Sequence, residues 1–218
     1  MQDFLDSLNE EVHLTDKQVF TTIWTSPRIV FKYINENRYE KYMVALLFLA
    51  GIARSLDRAS MKNMGDKSSL FSILGLSIVM GGLFGWISYY IYASMLSWTG
   101  KWIDGQGNTK SILRVLSYAM LPSIVSLLVL IPQIGIYGIE IFKSDGDISS
   151  AGIIPNILVY GSMAMEITLG IWTVILCIVA ISEVQKLSIG KSILNLLLPI
   201  FVIVVPILLI VLIIQLWN

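Results

Sequence analysis

Five stretches of this chain, one of them imperfectly, stay apolar for about as long as a helix needs to cross a bilayer. They lie near residues 40–60, 69–98, 112–138, 155–182 and 192–217. A helix rises 1.5 Å per residue, so about 20 residues cover roughly 30 Å of hydrocarbon. Between the stretches sit KNMGDKSS, TGKWIDGQGNTKS, FKSDGDISSAG and SEVQKLSIGKS, which are turn compositions. The pattern predicts an all-α integral membrane bundle of five transmembrane helices over residues 39–218. Composition agrees. The chain is 56% hydrophobic and only 14% charged, against about 25% charged in soluble domains.

The second stretch is longer than a bilayer requires. It must tilt, project into water, or bend at Gly81-Gly82-Leu83-Phe84-Gly85. Gly81-x-x-x-Gly85 would let another helix approach closely. Pro122, Pro132, Pro199 and Pro206 predict kinks in the third and fifth stretches. Gly81, Gly85 and Pro122 are the expected packing residues.

Residues 1–38 form a separate N-terminal arm. Thr15-x-x-Gln18 matches a capping box, and Val19, Phe20, Ile23 and Trp24 follow at helical spacing. Ser26-Pro27 starts a second helix, with proline at its first position. Ile29, Val30, Tyr33 and Ile34 form its apolar stripe. Such a basic amphipathic helix is expected to lie in the headgroup plane. The alternative is a short helix packed on the bundle. The first twenty residues are acidic and not apolar, so the first span is expected to serve as the targeting signal.

Orientation follows from lysine and arginine. Lys17, Arg28, Lys32, Arg38 and Lys41 precede the first span. Lys101, Lys110 and Arg114 follow the second, and Lys186 and Lys191 follow the fourth. The opposite side carries Arg54, Arg58, Lys62, Lys67 and Lys143. The bias predicts a cytoplasmic N-terminus and an outside C-terminus.

The first span carries the oddity. GIARSLDRAS (51–60) places Arg54, Asp57 and Arg58 where a membrane helix should still be apolar. Positions i, i+3 and i+4 share a face. Either the span ends early in the outer headgroups, or a polar vestibule faces the bundle interior. Glu166 bears on the choice. It lies eleven residues after Pro155, near the middle of the fourth span, with no other charge nearby. A bare carboxylate there is expensive. It must be protonated, hydrated or paired, and Arg54 or Arg58 is the expected partner. Arg54, Asp57, Arg58 and Glu166 are therefore the candidate intramembrane site.

Other chemistry is not indicated. Formal net charge is zero, which gives no case for nucleic-acid binding. The single Cys177 and single His13 cannot make a zinc site. DGQGN (104–108) is a turn and SDGD (144–147) a loop. No triad, HExxH or carboxylate pair within one span appears, so no catalytic residue, metal or cofactor is expected.

Several local patterns together resemble the YIP domain family of multi-pass membrane proteins. They are Trp24-x-Ser26-Pro27, the glycine-containing loop before LRVLSYAMLP (113–122), and Gly170-Ile171-Trp172 through SEVQKLSIGK (182–191). The likeness runs over roughly residues 20–215. It implies five spans and a cytoplasmic N-terminus. Eukaryotic relatives act in vesicle traffic and membrane shaping, and carry an acidic-Leu-x-Gly-Pro stretch before the first span. Here that place reads IWTSPR, and the arm is short. Both departures argue against a small-GTPase partner. The chain is more similar to compact prokaryotic members, which implies a bacterial inner membrane. The resemblance leads us to expect a non-enzymatic organiser or accessory factor. Its partners would be membrane lipids and other membrane proteins or itself. The alternative is a small channel, transporter or lipid-moving protein with Arg54, Asp57, Arg58 and Glu166 along its pathway.

Overall fold

The computed structural model describes residues 13–147 and 152–217, and every regular element among them is helical. Residues 1–12 of the N-terminal arm, residues 148–151 and Asn218 lie outside the described residues.

Two short helices, α1 (Asp16–Thr22) and α2 (Pro27–Glu36), precede the bundle. Thr15 caps α1 with both halves of a capping box: its hydroxyl accepts from Gln18 N, and its own N–H donates to Gln18 Oε1 at 2.9 Å. Pro27 opens α2 where a backbone donor is not needed. The apolar stripe is amphipathic as expected, and most of it is covered by protein, although Ile29 is 47% exposed. Val30, Phe31 and Ile34 have no exposed surface, and neither do Val19 and Ile23. They join Ile112, Val115, Tyr118, Leu176 and Ile181 in the main core. The alternative of a helix packed on the bundle therefore describes its inner face. Each such side chain gains about 1.5–3 kcal/mol over exposure to water, and the bundle's own apolar surface is the nearest cover.

The bundle proper begins with α3 (Met43–Met61). A tight turn then leads to α4 (Leu70–Leu76), a π-helical turn (Ser77–Gly82) and α5 (Leu83–Gly100) as one continuous rod. The irregularity expected near Gly81 is thus a π turn over Ser77–Gly82. Next come α6 (Thr109–Ala119) and α7 (Leu121–Tyr137). The chain breaks between them at Met120, and Pro122 occupies the first turn of α7, where its missing N–H costs nothing. Then follow α8 (Ile153–Gln185) and α9 (Ile189–Trp217).

Four helical segments are long and apolar enough to cross a membrane: Leu70–Ile103, Thr109–Phe142, Asn156–Gln185 and Ile189–Gln215. Helix α3 is the exception, because Arg54, Asp57 and Arg58 interrupt its 19 residues. Of the five expected spans, four are thus long and apolar enough to cross, and the first, read as imperfect from its sequence, is a charged helix. The four carry wide exposed apolar belts, including Phe84, Ile91, Leu128, Ile131, Ile167 and Ile171. A belt of that kind belongs to a protein solvated by lipid.

Candidate functional site

Helix α3 packs along the bundle with one part of its surface exposed, and its position is set by glycine. Gly51 meets Gly81 and Gly85 backbone to backbone. A Cβ built on Gly85 would fall 2.6 Å from Gly51 Cα, and one on Gly81 would fall 2.6 Å from Gly51 O. Only hydrogen fits at all three places. Gly51 was not singled out by the sequence, although it is the partner that Gly81-x-x-x-Gly85 requires. One turn on, Ser55 Oγ donates to Ser77 Oγ at 3.2 Å. These contacts hold α3 beside the middle of the Leu70–Ile103 rod.

That placement divides the three charges. Asp57 points into a cavity of about 270 Å³ between α3, α7 and α8. Glu166 lines the same cavity from α8. Arg54 and Arg58 point to another side of α3, into a separate cleft of about 240 Å³ against the π turn and α5. The expected pairing of Glu166 with Arg54 or Arg58 does not form. Gln133 Nε2 on α7 donates to Glu166 Oε1 at 2.8 Å instead. Arg54 lies over the ring of Tyr89, 5.8 Å from its centroid. The reason is angular. Successive residues turn about 100° around a helix, so Asp57 stands about 60° from Arg54 and about 100° from Arg58. The neighbours on either side then decide where each side chain goes.

The cavity is polar for its depth. Ser60 and Ser126 line it beside the two carboxylates, as do Ser123, Gln133 and Thr173. No lysine or arginine lines it. It can accept a proton, a cation or ordered water, which needs two to four polar partners. Gln133 was not anticipated, although a lone amide beside Pro132 in an apolar run was its visible signal.

The end of the bundle that carries the N-terminal helices is built differently. Gln185, fully buried at the end of α8, holds the loop that the sequence reads as DGQGN. Its Oε1 accepts from Gly107 N at 2.8 Å, and its Nε2 donates to Leu96 O and to Asn195 Oδ1, both at 2.9 Å. Asn195 in turn donates to Leu96 O and Thr99 Oγ1. Gly105 and Gly107 are needed because a Cβ at either would press on the Gln185 amide. Asn108 then caps α6 in a reciprocal pair with Ser111. The loop is a turn, and also the wrapping around a buried amide.

Beside it, Arg114, only 4% exposed, is neutralised by Glu40 at 2.7 Å. That hydrogen bond, with Lys110 adding to it, holds the Glu40 carboxyl below its ordinary range. Asp16 at the start of α1 accepts from Lys41, from Tyr39 Oη at 2.6 Å and from Tyr42 Oη at 2.7 Å. The Lys41 bond is the largest of several that push the Asp16 carboxyl down to about 2. Among the described residues no three of His, Cys, Asp or Glu come together as a metal site.

A five-helix arrangement with a charged first helix and a packed N-terminal pair can now be set beside known families. The Yip1 domain family model matches residues 21–212, nearly the whole chain. The chain belongs to the Yip1 domain family. No curated protein and no solved structure gives a significant match. Yip1 membership agrees with a multi-pass membrane protein whose apolar belts face lipid.

Proposed function

We propose that this Yip1 protein is a non-enzymatic membrane organiser or accessory factor of five spans. It sits in a bacterial inner membrane with its N-terminus in the cytoplasm and its C-terminus outside. Two features support the fifth span. Gly51 rests on Gly81 and Gly85, midway along a rod apolar enough to cross, so α3 shares that rod's depth. The lysine and arginine bias then orients an odd number of spans.

The observation that carries the organiser reading is the division of the polar residues. Asp57 and Glu166 line one recess, and Arg54 and Arg58 line another across α3. No single polar route joins the four. The cytoplasmic end is filled by Val30, Phe31 and Ile34 and by the Gln185 network. A body so packed holds its surroundings rather than conducting through itself. Its partners are membrane lipids and other membrane proteins or a second copy. A small-GTPase partner is not part of the proposal, because IWTSPR replaces the acidic-Leu-x-Gly-Pro stretch.

Flux in liposomes tests this. The purified protein is expected to pass neither ions nor fluorescent lipids above empty liposomes, and Glu166→Gln to change nothing. Flux that the substitution alters would favour the second reading, a cation or lipid pathway. The cavity with two carboxylates and no cation is the observation on that side.

A further inference from the structure

Arg54 and Arg58 pose a problem of charge that the protein itself does not solve. They lie four residues apart on α3 and line one cleft with Ser55, Ser88 and Phe84. Both are exposed. Among the described residues neither takes part in an ion pair. The one carboxylate of the helix, Asp57, is turned into the other recess. What Arg54 does touch is the face of Tyr89, which is neutral.

The surroundings place this cleft on a lipid-facing wall. Met80 and Phe84, which line it, are about half exposed, as is nearby Trp86. Its floor is the crossing of Gly51 with Gly81 and Gly85, where backbone meets backbone and nothing can shift inward. Ser55 and Ser88 supply hydroxyls. Two guanidinium groups facing hydrocarbon without an anion are costly, and arginine side chains reach for one when it is available. The guanidinium fork matches the oxygens of a phosphate better than any other common anion in a membrane.

We propose that the Arg54–Arg58 cleft holds the phosphate of an anionic phospholipid, drawn below the headgroup plane of the outer leaflet. The inference deepens the organiser reading and rests on α3 crossing the membrane. A lipid fits because the opening is sideways, at the level of the apolar belt, where a water-soluble phosphate has no access. A volume of about 240 Å³ over an immovable floor suits a headgroup rather than a partner helix.

The test uses the full chain in nanodiscs of mixed phosphatidylglycerol and phosphatidylcholine, with retained lipid counted by native mass spectrometry. Wild type should retain phosphatidylglycerol over phosphatidylcholine. The Arg54→Ala/Arg58→Ala variant should lose that preference at least several-fold, and Arg54→Lys/Arg58→Lys should keep part of it. Ser88→Trp, which fills the cleft and leaves both charges, should lose it too. Millimolar inorganic phosphate should displace nothing. Equal retention in wild type and the alanine variant would overturn the proposal. So would displacement by free phosphate, or a dimer that alone accounts for the arginine dependence. The depth of α3 is read separately. Glu36→Cys and Lys62→Cys, each in a Cys177→Ala background, should label from opposite sides of the membrane. Labelling from one side defeats the five-span reading. Opposite labelling with unchanged lipid retention defeats the lipid site alone.

Discussion

Gln133 on α7 donates from Nε2 to Oε1 of Glu166 on α8 at 2.8 Å, within the apolar length of both helices. Among the described residues Glu166 has no ion pair, so this amide is what α7 offers it. Gln133→Leu removes the donor and leaves the carboxyl facing an apolar wall. We expect a loss of about 0.5–1.5 kcal/mol, the net worth of one hydrogen bond, because the half-buried carboxyl lines a cavity that can hold water. Gln133→Leu/Glu166→Leu should recover most of it. Thermal unfolding in detergent decides, and equal stability of wild type and the single variant would show that the bond contributes nothing.

Gln185 is the more demanding amide, because its two ends serve three elements: the 101–108 loop, α5 and α9. Gln185→Ala strands Gly107 N and deprives Asn195 Oδ1 of its donor. Two stranded groups predict a loss of about 2–4 kcal/mol. The loop of residues 101–108 should also become a protease site. Gly107→Ala should act in the same direction, since its Cβ would lie 3.0 Å from Gln185 Oε1. Protection of the loop in Gln185→Ala equal to wild type would refute this.

The glycine crossing predicts a contrast between two alanines. A Cβ on Gly51 would fall 3.0 Å from the Gly81 carbonyl carbon and 3.1 Å from Gly85 Cα. Both are backbone, so the helices must part. Gly51→Ala is expected to cost about 1–3 kcal/mol. Gly75→Ala, with nothing within 4 Å, should be neutral or stabilise by up to about 1 kcal/mol through helix propensity. Comparable losses in both would show that the crossing is looser than described.

Asp16 ties α1 to Tyr39, Lys41 and Tyr42, and its pKa is lowered from 3.8 to about 2. A depressed carboxyl contributes stability above its unfolded pKa and loses it as pH falls through the folded one. Docking of α1 should therefore hold down to about pH 4 and weaken between there and about pH 2. The site is open to water, so screening keeps the effect small. Asp16→Asn should remove this acid transition. Fluorescence of Trp24, which packs on the core beside α1, follows it. A transition unchanged in the variant would assign it to another group.

The linear pattern of residues determined the helical class and the location of the four long apolar segments. Apolar length and turn composition act locally, so each can be read without knowing any neighbour. The caps at Thr15 and the helix start at Pro27 were legible for the same reason. Much of the candidate site was not. Asp57 and Arg58 are adjacent, yet they face different recesses, because α7 and α8 flank one side of α3 and α5 the other. Glu166 was visible as a lone charge, but its partner Gln133 stands 33 residues away on a separate helix. The stripe on α2 was plain, while the surface covering it belongs to α6 and α8. Periodicity records which side of a helix is apolar. Only the packing of helices distant in sequence decides what that side touches, because the favourable contacts are made between elements rather than along one.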